Sequence, residues 1–127
     1  MMHERTLIAI GAVLMMTGVG AGAFGAHGLK RLIEPDMLAV WQTAVLYQLV
    51  HGLGMLLTAL LARHYSVSLF RRAAAAMLAG IVIFSGSLYV LALSGLKWLG
   101  AVTPVGGVAF ILAWAMVAVA AWRLGSQ

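Results

Sequence analysis

The stretch Met37–Ala62 reads MLAVWQTAVLYQLVHGLGMLLTALLA, and its 26 residues include no Asp, Glu, Lys or Arg. A helix needs about 20 mostly apolar residues to cross a hydrocarbon core roughly 30 Å thick, so this stretch can span a bilayer. A helix also pairs its own backbone N–H and C=O groups, each of which costs several kcal/mol if left unpaired in hydrocarbon. The residues do not alternate as barrel strands do. The stretch therefore predicts a transmembrane helix.

Three further runs share this character: Thr6–Ala26 (21 residues), Ala73–Leu96 (24) and Leu99–Trp122 (24). Only 9% of the chain is charged and 64% is apolar, whereas a soluble domain carries about 25% charged residues. The sequence therefore predicts an all-α integral membrane bundle of four transmembrane helices with short loops. We place the spans at about residues 6–26, 37–62, 73–94 and 103–122, within one domain.

The eight Lys and Arg lie singly or in pairs at the ends of the apolar runs, and the net charge is +5. This placement is typical of anchoring to membrane lipid and offers no basic face for nucleic acid. Five cations flank one side of the predicted spans and three the other, which favours both termini in the cytoplasm. The five are Arg5, Arg63, Arg71, Arg72 and Arg123, and the three are Lys30, Arg31 and Lys97.

Two proline motifs predict helix starts. Pro35 suits the first position of the second helix, and its neighbours Glu34 and Asp36 place acids near the positive end of the helix dipole. Thr103 and Pro104 predict an N-cap followed by the first helical residue of the fourth span, although Pro104 could instead kink a longer helix. The link at residues 27–36 is either a short turn on the membrane surface or an ordinary polar loop.

Small residues follow one face of the first span. Gly18, Gly22 and Gly25 recur at spacings of four and three, which is typical of a surface where helices pack closely. The letters of residues 20–25 also match GxGxxG, but that motif requires a preceding strand to hold a dinucleotide. A further possibility is that the glycines let the helix end unwind around a ligand.

A cluster of polar and aromatic residues is predicted in the middle of the membrane. It contains Trp41, Tyr47, Gln48 and His51 of the second span and Ser85 of the third. Polar groups at this depth should face protein or a water-filled cavity. They either hydrogen-bond neighbouring helices or form a proton or solute site. We expect His51 to be neutral and Ser85 to be the partner of His51 or Gln48.

Little else in the sequence indicates chemistry. The three acids, Glu4, Glu34 and Asp36, lie outside the spans, so no carboxylate is available there to orient a histidine for a catalytic serine. There is no cysteine, and His3, His27, His51 and His64 are dispersed. Metal sites need such ligands to cluster. We therefore predict no enzyme activity, catalytic residue, metal or cofactor.

Four blocks of the chain resemble a known family. They are Gly22–Leu29 (GAFGAHGL), Trp41–Ala44 with Tyr47 and His51, Phe84–Tyr89 (FSGSLY) and Thr103–Gly107 (TPVGG). The chain is similar in these blocks to the YgdD/YwdK-like proteins of the DUF423 family. The resemblance implies a multi-pass protein of the bacterial inner membrane and makes His27, Tyr89, Thr103 and Pro104 motif positions. It implies no activity, because the family has none assigned.

Two functions follow as expectations. The first is a non-enzymatic structural or accessory membrane protein that assembles with itself or with a larger membrane complex through its glycine-rich first helix. The alternative is a small oligomeric channel or carrier that uses the polar cluster around His51. Lipid binding by Lys30, Arg31 and Trp98 ranks below both, because passive anchoring places the same residue types at an interface.

Overall fold

The computed structural model describes residues 2–125, and within them it contains five α-helices. They are α1 (Glu4–Ala26), α2 (Pro35–Tyr65), α3 (Ser68–Gly80), α4 (Gly86–Ser94) and α5 (Thr103–Leu124). A π-helical segment, Ile81–Ser85, joins α3 to α4, so that Ser68–Ser94 forms one continuous span. This third span, α1, α2 and α5 are each long and apolar enough to cross a membrane. The prediction of an all-α bundle with four spans is confirmed.

A proline lies in the first turn of both α2 and α5. Pro35 opens α2 with Glu34 as its extended N-cap, as predicted. Pro104 lies in the first turn of α5, so the kinked-helix alternative is wrong. The predicted N-cap at Thr103 is also wrong, because Val102 is the cap and Thr103 is already helical. The Thr103 hydroxyl lies 2.6 Å from the Ser87 hydroxyl, so it contacts α4 and does not cap its own helix.

The link between α1 and α2 has features of both predicted alternatives. Leu29–Arg31 form one 3-10 turn, and the Leu32 N–H bonds back to the Leu29 carbonyl at 2.8 Å. Leu29 is buried in a cluster with Trp41, whereas Leu32 is 74% exposed. The segment therefore buries Leu29 in the end of the bundle and leaves Leu32 exposed.

The two middle spans form the interior of the bundle. In the most apolar part of each span, 50% of residues are buried in α2 and 44% in the third span, against 17% in α1 and 22% in the span ending at Leu124. α1 packs mainly on α2, and α5 packs on α3 and the π-helical segment. The main apolar cluster includes Leu7, Met55, Met77 and Phe110, one from each span. The second and third spans are therefore the inner helices of the bundle, and α1 and α5 pack on the outside of them.

Five arginines gather at the end of the bundle where α1 starts and α5 finishes. We call this the Arg-rich end; it comprises Arg5, Arg63, Arg71, Arg72 and Arg123. Arg71 Nε lies 3.5 Å from Glu4 Oε1, which links α3 to α1. The prediction that this end faces the cytoplasm stays a prediction.

Candidate functional site

Gln48 lies where α1, α2 and α4 meet and is only 5% exposed. Its Nε2 donates to the Leu14 carbonyl at 2.8 Å and to the Thr17 hydroxyl at 2.9 Å. Its Oε1 accepts from the Tyr89 hydroxyl at 2.5 Å. A primary amide has two N–H donors and one carbonyl oxygen, so each polar group of Gln48 has a partner on another helix. One side chain thus bonds α2 to both α1 and α4.

Trp41 lies at the same interface between α1, α2 and α4, two turns of α2 before Gln48. Its indole N–H donates to the Ala21 carbonyl at 2.9 Å. The centroid of its ring system is 4.6 Å from that of Tyr89, in an edge-to-face arrangement that favours aromatic pairs. Trp41 and Gln48 therefore both contact α1 through a backbone carbonyl and α4 through Tyr89.

The glycine stripe of α1 faces α2 of the same chain. Gly18 and Gly25 are buried, and a β-carbon at either would lie 2.8 Å from an α2 side chain. A β-carbon at Gly22 would lie 3.3 Å from Val45. Since α2 covers this stripe, the three glycines pack helices within the chain, and assembly of copies or partners through the first helix stays a prediction. The unwinding alternative is wrong, because α1 is continuous over Glu4–Ala26.

The glycines also open access to the α1 backbone. Gly18 follows Leu14 by one turn, and Leu14 is the carbonyl that accepts from the Gln48 amide. Gly25 follows Ala21 by one turn, and Ala21 accepts from the Trp41 indole. A helical side chain leans toward the preceding turn, so a larger residue at either glycine would crowd the donor. A β-carbon at Gly18 would lie 3.3 Å from the Gln48 amide nitrogen.

His51 faces α5 and is 5% exposed. Its Nε2 lies 3.0 Å from the indole nitrogen of Trp114, and its Nδ1 lies 2.9 Å from the Tyr47 carbonyl. An indole N–H only donates, so Nε2 is the acceptor and Nδ1 carries the proton. The imidazole also stacks on Phe110, with ring centroids 3.6 Å apart. This pattern of partners requires the neutral form that the sequence predicts.

Ser85 does not bond to His51 or Gln48, so that prediction is wrong. Its hydroxyl donates to the Ala44 carbonyl at 2.7 Å. Ala44 is fully buried and has a short side chain, which lets the serine on the π-helical segment approach the α2 backbone. Tyr47, the remaining predicted member, is 37% exposed and packs its ring on Phe84 at 4.3 Å.

The predicted cluster therefore divides into two neighbouring sites that contact different helices. Trp41 and Gln48 contact α1 and α4, whereas Tyr47 and His51 contact α5 and the π-helical segment. The family model described as "Protein of unknown function (DUF423)" matches residues 21–107, a range that contains all four.

The chain belongs to the DUF423 family.

Relatives of this DUF423 chain are membrane proteins by name and align over almost their full length. It is 48% identical to UPF0382 membrane protein YwdK of Bacillus subtilis (strain 168) over 118 residues, 92% of this chain and 96% of the relative. It is 43% identical to UPF0382 membrane protein SAB0533 of Staphylococcus aureus (strain bovine RF122 / ET3-1) over 119 residues, 94% of this chain and 97% of that protein. No solved structure matches the chain. The prediction of the family is confirmed, and so is that of a multi-pass membrane protein.

The DUF423 motif positions are spread over the bundle. His27 is exposed at the end of α1, and Tyr89 belongs to the Gln48 site. Thr103 contacts Ser87, which also donates to the Phe84 carbonyl at 2.9 Å, and Pro104 lies in the first turn of α5. The structure therefore does not gather these four residues into one site. Each lies at a helix end or at a contact between helices.

Three participants in these contacts were not predicted from the sequence: Thr17, Phe110 and Trp114. Trp114 offered a usable signal, because it lies in the middle of its span and not at an interface, and a buried indole N–H usually needs a partner. Within residues 2–125, no three His, Asp or Glu side chains come together as a metal site requires. The described side chains instead form hydrogen bonds between helices, and both the donor and the acceptor belong to this chain.

Proposed function

We propose that this DUF423 protein is a non-enzymatic structural or accessory membrane protein that acts by assembling with another copy of itself. The main support is the state of its mid-membrane polar groups. Among residues 2–125, the one buried side-chain polar atom without a hydrogen-bond partner is Arg71 Nε, at the Arg-rich end. Gln48 and His51 engage both donors and acceptors within the chain, and the Ser85 hydroxyl donates to the Ala44 carbonyl. Engaged groups favour a role in fixing helix positions over a role in chemistry.

The surface that we propose for assembly is the outward face of α2. Five of its exposed apolar residues recur at spacings of four, three, four and three, which is the spacing of a heptad seam. They are Leu46, Val50, Leu53, Leu57 and Leu60, each between 46% and 59% exposed. An inner helix that leaves such a stripe open between two outer helices can accept a helix from a second copy. This stripe replaces the α1 glycines as the assembly surface.

Cysteine cross-linking in native membranes tests this proposal, because the chain has no cysteine of its own. Leu53→Cys, at the centre of the stripe, should form a disulfide-linked dimer on mild oxidation. Ile111→Cys is the matched control, since Ile111 is 70% exposed on α5, outside the stripe. Equal cross-linking of both variants, or none at Leu53 and its stripe neighbours, would contradict assembly through α2.

A channel or carrier is the second candidate, and one observation favours it. A surface pocket of about 260 Å³ is lined by Leu46, Tyr47, Val50 and His51. Two of these residues belong to the α2 stripe, so a second copy would cover the pocket beside the imidazole. Proton or solute flux into proteoliposomes should then exceed that of empty vesicles and fall in His51→Ala. Equal leak from the native chain, the variant and empty vesicles would end this candidate.

A further inference from the structure

The exposed face of α2 extends beyond the five residues of the α2 stripe. Ala39 and Thr43 are also exposed, and they lie seven and three residues before Leu46, so they continue the same heptad repeat. In this repeat Leu46 is at position d and Val50 is at position a. Positions a and d form the seam along which one helix packs against another in a coiled coil. α2 therefore presents an open seam that starts at Ala39 and continues through the stripe.

Two polar side chains beside this seam have no hydrogen-bond partner within residues 2–125. They are the Gln42 amide and the Tyr47 hydroxyl, and both residues are exposed. Tyr47 lies ten residues, or about 15 Å, beyond Met37, which is half of a hydrocarbon core roughly 30 Å thick. Its ring packs on Phe84, which keeps the hydroxyl near this depth. Because an unpaired polar group is unfavourable in hydrocarbon, the hydroxyl needs a partner from outside the chain.

The heptad register relates these two side chains to each other. Gln42 is at position g, and Tyr47 is at the position e that follows it by five residues. In a parallel pair of helices, a g residue lies beside the e residue five positions later on the partner helix, and such pairs set the orientation of the helices. An amide and a phenol hydroxyl can hydrogen-bond to each other. The chain already contains this bond between α4 and α2, where the Tyr89 hydroxyl donates to Gln48 Oε1.

The pocket beside His51 fits the same arrangement. It encloses about 260 Å³ and is lined by Leu46, Tyr47, Val50 and His51. Leu46, Tyr47 and Val50 are at positions d, e and a, and with Thr43 they form the hole that receives a d side chain from a parallel partner helix. The pocket is also smaller than the roughly 300–1,000 Å³ of most small-molecule sites. Its size therefore favours a side chain as the occupant.

We propose that two copies of the chain pair through parallel α2 helices about a two-fold axis along the membrane normal. Leu46 of each copy fills the pocket of the other, and Gln42 of each copy hydrogen-bonds to the Tyr47 hydroxyl of the other, so that the dimer contains two such bonds. This arrangement rests on the assembly function proposed above and adds its orientation and register. Since Gln42 and the Tyr47 hydroxyl have no partner within residues 2–125, their loss should weaken pairing without destabilising the single chain.

The hydrogen bond is tested by energy transfer between fluorescently labelled copies in lipid vesicles, measured as the lipid-to-protein ratio is raised. Tyr47→Phe and Gln42→Leu should each weaken association about eightfold, because each removes two bonds per dimer. The double variant should be no weaker than either single variant, because all three lose the same bonds. Tyr65→Phe is the matched control, since Tyr65 is an exposed α2 tyrosine outside the seam, and it should associate like the native chain. Additive losses in the double variant, or an equal loss in Tyr65→Phe, would overturn the contact.

The register is tested by solid-state NMR of mixed copies in lipid. One set carries isotope-labelled glutamine side-chain nitrogens and the other carries isotope-labelled tyrosine rings, so that only contacts between copies are detected. A glutamine–tyrosine contact should appear in the native mixture and disappear when the glutamine-labelled copy is Gln42→Leu. If the Leu53→Cys disulfide forms but this contact is absent, or persists in Gln42→Leu, assembly through α2 stands and the proposed register is wrong. Absence of both the disulfide and energy transfer would contradict the assembly function as well.

Discussion

The two outer helices, α1 and α5, are attached to the inner pair in different ways. α1 is attached by side-chain donors of α2, since Gln48 and Trp41 reach the carbonyls of Leu14 and Ala21. α5 is attached by close backbone approach, since a β-carbon on Gly106 would overlap the backbone of Phe84. Two side-chain hydrogen bonds supplement the α5 contact: one from the Trp114 indole to His51, and one between the Thr103 and Ser87 hydroxyls.

The difference reflects what a bilayer permits. Lipid tails are as apolar as leucine, so helices associate through close packing and hydrogen bonds and gain little from burying apolar surface. At α1 the glycines admit polar donors to a carbonyl, whereas at α5 they admit another backbone. The π-helical segment carries the Phe84 backbone that meets Gly106, and such segments frequently occur at functional sites.

The close approach at α5 should be the most sensitive. Gly106→Ala should lower the free energy of unfolding by about 3 kcal/mol, because the new β-carbon meets backbone atoms of Phe84 that cannot rotate away. Gly107→Ala is the matched control: its β-carbon would lie 3.9 Å from the Phe84 ring, an ordinary contact. Equilibrium unfolding in mixed micelles measures both. Similar losses in the two variants would show that the close approach to the Phe84 backbone does not set the effect.

Gln48→Leu should have the next largest effect. It removes three hydrogen bonds to other helices, and at about 0.6 kcal/mol each the expected loss is about 2 kcal/mol. Gln42→Leu, a change of the same chemistry at an exposed position of α2, should stay within about 0.5 kcal/mol of the native chain. The same unfolding measurement applies. A loss at Gln48 no larger than at Gln42 would mean that these bonds do not fix α1.

Gly18→Ala should cost less than Gly106→Ala although its β-carbon is also crowded. The nearest atom is the Leu49 Cδ2, 2.8 Å away, and the tip of a leucine can move. We expect a loss of about 1 kcal/mol. Gly20→Ala, with nothing within 4 Å, should be neutral or slightly stabilising. If Gly18→Ala and Gly106→Ala cost the same, the proposed difference between side-chain and backbone contacts at the two outer helices is wrong.

Trp114→Phe should have the smallest effect. It removes the donor to His51 Nε2 and keeps an aromatic ring, so the expected loss is about 0.6 kcal/mol. Trp122→Phe is the control, because Trp122 is 86% exposed. Nitrogen NMR of the histidine ring gives an independent reading, since Nε2 loses its donor only in Trp114→Phe. An unchanged imidazole spectrum would show that the indole does not bond to His51.

The spans could be predicted because the absence of charge over 20 residues has a single structural solution in hydrocarbon. The membership of the polar site was predicted only in part. Gln48 and His51 were found because polar residues at mid-depth are rare. Their partners were not, since Leu14 contributes a carbonyl that every residue has, and Trp114 is 63 positions from His51. Ser85 was found but given the wrong partner, because its distance to the α2 backbone depends on the π-helical segment.

The sequence by itself determined that four helices cross a membrane, that two of them have Pro35 and Pro104 in their first turns, and which family the chain belongs to. These properties depend on local composition and on backbone chemistry. Only the tertiary structure decided that the α1 glycines are covered by α2, that Gln48 contacts α1 and α4 while His51 contacts α5, and that Ser85 donates to the Ala44 carbonyl. Helix rotation and helix order set these contacts, and in an all-apolar span the residue pattern does not show which face turns inward.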